Sequence, residues 1–341
     1  MSQFIGVDLA WGEGKPSRPA NESGLALIDE SGIVLFAGWA RGIDEVADWL
    51  IRVAEPGALI AIDAPLVIPN ATGMRLAERE VGMGYGRWHV AANASNAAMG
   101  WKGGVTLYNR LIAEGFIYTD GTGPRDPSAI AFFECYPYTT IVGMEELGYE
   151  DKRPRYKRLN KALGAGEGRE ARRLACDDLL RRLDGLSAAT PPLALSSHPT
   201  SAELLSTPTP IDDVPYKHRE DLIDALICAW TASVWQRHGE SRVQILGLTD
   251  QLDPSGHRGV IVAPARPEQR VEGRLARPLR AARTADIPLS IGRRVRDLTE
   301  HFERIGRVTD AELLELTDSF EGLLAEYNRL GGKSPSRHVQ P

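Results

Sequence analysis

At 341 residues the chain exceeds the usual domain of roughly 100–200 residues, so it is expected to hold one large domain with an appendage, or two domains. Its 43% hydrophobic content supplies a substantial core, and no apolar run reaches the roughly 18 residues that a membrane helix needs. The net charge of −6 excludes a uniformly basic nucleic-acid binder, and three cysteines without CxxC spacing (Cys135, Cys176 and Cys228) exclude a disulfide framework. The N-terminus, MSQFIGVDLA, enters a strand pattern at once, so the expectation is a cytoplasmic protein with reduced, buried thiols.

In chain order, residues 3–9 (QFIGVDL) predict a strand, and SGLALID from Ser23 with GIVLFAGW from Gly32 predict a hairpin turning near Glu30-Ser31-Gly32. Helical spacing follows at Ile43, Val46, Ala47 and Leu50. The run ALIAIDAPL is a continuous buried strand stopped by Pro65. Residues 73–81 and 105–114 are expected to be helical, separated by a Gly/Asn-rich stretch, and residues 129–135 form a further buried strand. A basic segment and a Pro/Ser/Thr-rich loop over 188–215 lead to a helix starting near Lys217. Two short strands, 243–248 and 259–263, close this portion.

Acidic residues sit at the ends of these elements. Asp8, Asp63 and Glu134 each close an apolar strand, and Asp221 and Asp224 lie three apart on an apolar helix. If the strands are parallel neighbours, their carboxyl ends share the edge where open α/β sheets place ligands. Residues three apart on a helix share a face, so both aspartates can turn toward that edge. Two ionised carboxylates about 4 Å apart repel by roughly 4 kcal/mol at an effective dielectric near 20, and a divalent cation removes that cost. Each acid also has a plainer use. Asp8 can cap the turn at Ala10-Trp11-Gly12, Asp63 can brace the Ala64-Pro65 corner, and Asp221 can be a first-turn acid paired with Lys217. Four such acids in this order are better explained together, as ligands of a metal.

Basic and aromatic candidates for phosphate or base contact cluster in two places. Between Glu150 and Arg182 there are 11 Lys/Arg against 6 Asp/Glu, and five of these bases fall in KRPRYKR: Lys152, Arg153, Arg155, Lys157 and Arg158. This segment can attract a phosphate backbone, or it can be a solvated loop ahead of an Arg-rich helix. After the fourth strand, Arg75 and Arg79 lie four apart, and Arg87, Trp88 and His89 follow with Asn93 and Asn96. Arginine offers a bidentate donor set and tryptophan a stacking face, although Arg75 and Arg79 can equally pair with neighbouring glutamates.

The element order is that of the ribonuclease-H-like fold, an α/β class with a mixed five-stranded sheet flanked by helices. The chain resembles the family of predicted RNase-H-like nucleases catalogued as domain of unknown function 429. The resemblance rests on GVDLAWG from Gly6, AIDAPLVIPN from Ala61, ECYP from Glu134, PYKHREDLIDALICAW from Pro215 and GVIVAP from Gly259, and covers residues 1 to about 265. It implies a site whose acids bind two Mg²⁺ or Mn²⁺ ions and hydrolyse a nucleic-acid phosphodiester. By motif position, Asp8 is the first-strand aspartate, Asp63 the fourth-strand acid and Asp224 the final-helix aspartate. Asp221 is then an auxiliary acid and Glu134 a further acid of the pattern. Two ions about 3.5–4 Å apart would activate water and stabilise the leaving oxygen. The all-carboxylate set suits Mg²⁺ or Mn²⁺ better than Zn²⁺.

Residues 150–215 are a basic insertion into this domain, 266–290 an Arg/Ala/Pro-rich linker, 291–332 a helical hairpin and 333–341 a tail. In the hairpin, Val295, Leu298, Phe302 and Ile305 are followed by a capping box at Thr309 and Glu312 and a seam from Leu313 to Leu330. It is expected to dock on the core, on a second copy in a homodimer, or on a partner protein. Two other classes stay open. One is a catalytically idle nucleic-acid-binding or scaffold protein. The other is an ATP-binding protein of the sugar-kinase and actin class, whose second phosphate loop and adenosine-binding Gly-Gly pair have no counterpart between Glu134 and Pro264.

Overall fold

The computed structural model describes residues 2–271 apart from 13, 15–18, 101, 124 and 161. The chain divides into a unit of residues 1–271 and a second of 272–341. The expected hairpin, its tail and most of the linker lie outside the described residues. Residues 266–271, expected to begin the linker, belong to the first unit: Gln269 is buried and its Nε2 donates to the Val142 carbonyl at 3.0 Å.

The first unit is built on β1 (Gln3–Asp8), β2 (Glu22–Asp29), β3 (Val34–Arg41), β4 (Leu59–Asp63), β5 (Ile117–Tyr118) and β6 (Ala131–Glu134). They form one six-stranded sheet in the order β3-β2-β1-β4-β6-β5. β2 is antiparallel to both its neighbours, whereas β1, β4, β6 and β5 run parallel. The sheet has one strand more than expected. β5 is only two residues long, too short for any alternation to betray it, and it is held by pairing with β6. β7 (Val243–Leu246) and β8 (Ile261–Pro264) make a separate antiparallel pair.

Side chains alternate across the sheet with period two, and both faces are covered. Ile5, Val7, Ile60, Ile62 and Phe132 pack toward α1 (Ile43–Val53) and α3 (Gly103–Ala113). α1 turns its expected stripe of Ile43, Val46, Ala47 and Leu50, with Trp49, into this layer. Phe4, Leu59, Ala61 and Phe133 face the other layer, formed with α2 (Leu76–Tyr85), α4 (Pro137–Gly143), α5 (Ala165–Asp184) and α7 (Asp213–His238). The expected 188–215 loop carries a short helix, α6 (Pro199–Ser206). Proline at its first position and a His198 Nδ1 cap on the Thr200 amide start a helix where composition alone indicated none.

α7 is buried without a break from Arg219 to Val234 and lies directly on β1 and β2. Glycine makes that approach possible. A Cβ on Gly6 would sit 1.9 Å from the Ala225 carbonyl oxygen, and one on Gly24 would sit 2.0 Å from that of Asp221. Both neighbours are helix backbone, which cannot swing aside. Gly6→Ala is therefore expected to lower stability by about 3 kcal/mol, the upper end of overpacking costs, by lifting the helix from the sheet. Thermal melts check it; an unchanged melting temperature would show that the helix shifts freely on the sheet.

Candidate active site at the carboxyl edge of the sheet

The parallel pairing of β1 with β4 sets Asp8 directly beside Asp63. Both follow the parity of Gly6 and Ala61, so their side chains fall on the α7 face. The helix, seated on Gly6 and Gly24, brings Asp221 and Asp224 to the same edge, 4% and 0% exposed. One carboxylate oxygen each from Asp8, Asp63 and Asp224 lies within 4.8 Å of the others. Asp8 lies close enough to Asp221 to raise its carboxyl group, after burial itself. Glu220, which carries no signal of its own in the sequence, is also buried there.

The plainer uses of Asp8 and Asp221 fare differently. The turn after β1 is capped by Ser23, whose Oγ accepts from the Ala10 amide at 3.0 Å, and not by Asp8. α7 begins at Asp213, not near Lys217, so Asp221 lies two turns inside the helix, beyond reach of a first-turn dipole effect. The Lys217 pairing is present: its Nζ is 2.5 Å from Asp221 Oδ1 and 3.4 Å from Glu220.

Glu134 is not among the converging carboxylates, contrary to its expected role as a metal ligand, although it lies near enough to Asp63 to help raise it. It is in register with Ile62, not with Asp63. A one-residue offset turns a strand side chain to the opposite face. The position level with Asp63 is Cys135, whose Sγ lies 3.4 Å from that of Cys228 on α7. Glu134 instead receives both terminal nitrogens of Arg75, at 2.8 and 2.6 Å, and the Leu66 amide at 3.0 Å. Arg75 also donates to Glu78 and is 1% exposed, so it is an interior counter-ion and not the expected phosphate grip.

The basic segment supplies the missing wall of the site. Lys157 Nζ lies 2.5 Å from Asp224 Oδ2 and 3.6 Å from Asp63 Oδ2. At that distance the ammonium pulls the buried Asp224 carboxyl downward against the effect of burial. Tyr156, fully buried, donates its hydroxyl to Asp224 Oδ1 at 2.5 Å, and its own carbonyl accepts from Tyr216 at 2.5 Å. Arg153 lies over the Tyr138 ring at 4.2 Å, and its Nε donates to the His89 carbonyl. An aromatic among bases is the only sequence signal for Tyr156, and it resembles a stacking residue more than a buried clamp.

These groups wall a cleft of about 450 Å³ over Asp8, Asp63, Glu220 and Asp221. Of the expected substrate contacts, Arg153, Lys157 and Lys217 line it, joined by Arg158, Asn93, Tyr136 and Tyr138. Lys152 and Arg155 are exposed outside it. Arg79, Arg87 and His89 are exposed on and beyond α2, whereas Trp88 is buried in the core and cannot stack on a base.

Crowded burial shifts the acids' protonation. Burial, then Asp8 and Asp224 working against Lys157, pushes Asp63 up to about 8. Burial and Asp8 push Asp221 up to about 9, and burial lifts Glu220 to about 7. Asp224 is likewise raised, by burial first, against the pull of Lys157. Above pH about 4 the unfolded chain has released protons that the fold still holds, so stability falls as pH rises. In EDTA the melting temperature is therefore expected to drop between pH 5.5 and 8.5, and added Mn²⁺ should flatten that slope. A melting temperature that climbs over the same window would overturn this reading of the cluster.

A mixed α/β domain with an acidic centre at the carboxyl ends of its parallel strands is the class that fold and site define. The family model described as protein of unknown function (DUF429) matches residues 6–245, from β1 into β7 and across every acid of the centre. The chain belongs to that family. No curated protein and no solved structure matches it. Among the described residues, no helix is long and apolar enough to cross a membrane.

Proposed function

We propose that the chain is a nuclease of ribonuclease-H-like fold, hydrolysing nucleic-acid phosphodiesters with Mg²⁺ or Mn²⁺ held by carboxylates. One observation carries the reading: Asp8, Asp63 and Asp224, from three different elements, converge within 4.8 Å beneath an open cleft. The β1-β2-β3 meander with β2 alone reversed, followed by parallel β4 and β6, supports the fold, with β5 as an added edge strand.

The donor set fits the ion. Carboxylate oxygens suit a hard divalent cation, and Asp8, Asp63 and Asp224 each offer one within 4.8 Å of the others. Burial first, and then the neighbouring Asp8, raises the carboxyl groups of Asp63 and Asp221, so a cation bound among them would favour their ionised forms. A bound ion would activate water and offset charge on the scissile phosphate. The chain's own groups do the rest. Tyr156 fixes the orientation of Asp224, Arg153 and Arg158 present guanidinium donors to a phosphate entering the cleft, and Tyr136 and Trp11 offer ring surface along its wall.

A second reading, a binding or scaffold protein that does not cut, is favoured by one feature: Lys157 and Lys217 already sit on the acids. Labelled single-stranded, duplex, RNA–DNA hybrid and branched substrates, offered with Mg²⁺, Mn²⁺ or EDTA, separate the two. EDTA-sensitive cutting is expected. Salt-dependent binding without cutting supports the scaffold, and neither effect would remove nucleic acid from the account.

A further inference from the structure

We propose that Lys157 is a resident cation of the acidic centre, holding its Asp63–Asp224 side, so that the site takes one divalent ion, beside Asp8 and Asp221, instead of two. The inference rests on the metal-binding part of the function proposed above and changes both its stoichiometry and its ligands: of the three converging aspartates only Asp8 is left to the ion, with Asp63 and Asp224 held by the lysine.

Three observations carry it. The ammonium stands where an ion bridging Asp63 and Asp224 would stand, 3.6 and 2.5 Å from their Oδ2 atoms. Its side chain is also fixed there. It lies 5.3 Å from the Tyr138 ring centre and 5.9 Å from that of Tyr156, and the preceding residue is pinned by hydrogen bonds to Asp224 and from Tyr216. Further back, the Arg153 amide donates to the Trp88 carbonyl at 3.0 Å, so the segment is anchored at both ends. Lys217 differs: its side chain is 58% exposed, and its ammonium can leave Asp221 for water. The position open to an ion is therefore the one Lys217 vacates.

Charge agrees. Five carboxyl groups, Asp8, Asp63, Glu220, Asp221 and Asp224, face the two ammoniums of Lys157 and Lys217. That leaves up to three negative charges at the acids themselves, and Arg153 and Arg158 on the cleft wall reduce the need for further positive charge, so one divalent ion suffices and two would reverse the balance. In the wall of the same cleft, and among the described residues, the buried Tyr138 hydroxyl has no hydrogen-bond partner.

Mn²⁺ titration of the full chain, followed by calorimetry and electron paramagnetic resonance, tests this on wild type and Lys157→Met. One uncoupled Mn²⁺ is expected in the wild type. In Lys157→Met two are expected, broadened by their mutual coupling, because the vacated place between Asp63 and Asp224 becomes available. Two coupled ions in the wild type would overturn the proposal while leaving the metal-dependent function standing. So would a single ion in both proteins, or an ion that binds only when the lysine is gone. No ion in either protein would overturn the function proposed above as well. If Lys157→Met does not fold, the wild-type spectrum alone decides between one ion and a coupled pair.

Discussion

Asp8→Asn is expected to abolish metal-dependent cleavage, by on the order of 10³-fold or more, and with it the gain in melting temperature that Mg²⁺ or Mn²⁺ confers. A thousandfold loss is about 4 kcal/mol of transition-state stabilisation, a reasonable share for a group that contacts the ion directly. An ion at a hundred times its Kd adds about 2.7 kcal/mol to the folded state, so its loss is easily seen in a melt. The metal-free variant should be as stable as the wild type or more so. After burial itself, Asp8 is among the charges that push Asp63, Asp221 and Asp224 upward, and an amide relieves that repulsion. Asparagine keeps the size of the side chain, so the packing of β1 against α7 is undisturbed. Matched melts in EDTA and Mn²⁺, run beside the cleavage assay, check both halves of the expectation. A marked fall in metal-free stability with the metal response intact would make Asp8 a structural residue and move the ion elsewhere.

Much of the fold is legible in the sequence because its signals are local. The apolar runs of β1, β4 and β6 and the 3-1-3 spacing of α1 identify themselves from a few residues each. What escapes is either too short to show a period or set by distant partners. β5 is two residues held by β6, and α4 begins at Pro137, with only two residues separating it from the end of β6. The glycines that seat α7 give no local signal. Gly6 and Gly24 sit within ordinary strands, and their purpose appears only once the Ala225 and Asp221 carbonyls lie against them.

The site is legible as an inventory of acids and not as a register. Asp8, Asp63 and Glu134 all close apolar strands, and nothing in the sequence tells which are level. Pairing Asp8 with Asp63 leaves Glu134 one residue short, level with Ile62, and one residue is enough to turn it away. Charge is similarly ambiguous. By residue type and setting, Lys157 and Arg75 both suit an incoming phosphate, yet each neutralises carboxylates of the protein itself. Residue type reveals that a cation wants an anion. Only the fold decides whose anion it is.

Arg75→Met is expected to lower stability by about 3–5 kcal/mol, the usual consequence of removing one partner from a buried ion pair. The guanidinium is 1% exposed and joins Glu134 to Glu78 and the Val67 carbonyl, tying β6, α2 and the chain after β4 together. Methionine fills much of the volume but leaves two carboxylates buried without their counter-ion. Burial already holds Glu134 above the usual carboxylate range even with Arg75 in place, so its ionised form would lose what favours it. Adding Glu134→Gln to the variant should restore part of the loss, since the remaining carboxylate at Glu78 keeps the backbone amides of positions 75 and 95 as donors. The contrast with Asp8 is the test of how these acids divide. At Asp8 stability is kept and the metal response lost, whereas at Arg75 stability is lost and the Mn²⁺ affinity of whatever remains folded is kept. If Arg75→Met melted like the wild type but bound Mn²⁺ far more weakly, Glu134 would return to the metal site and the assignment by register would be wrong.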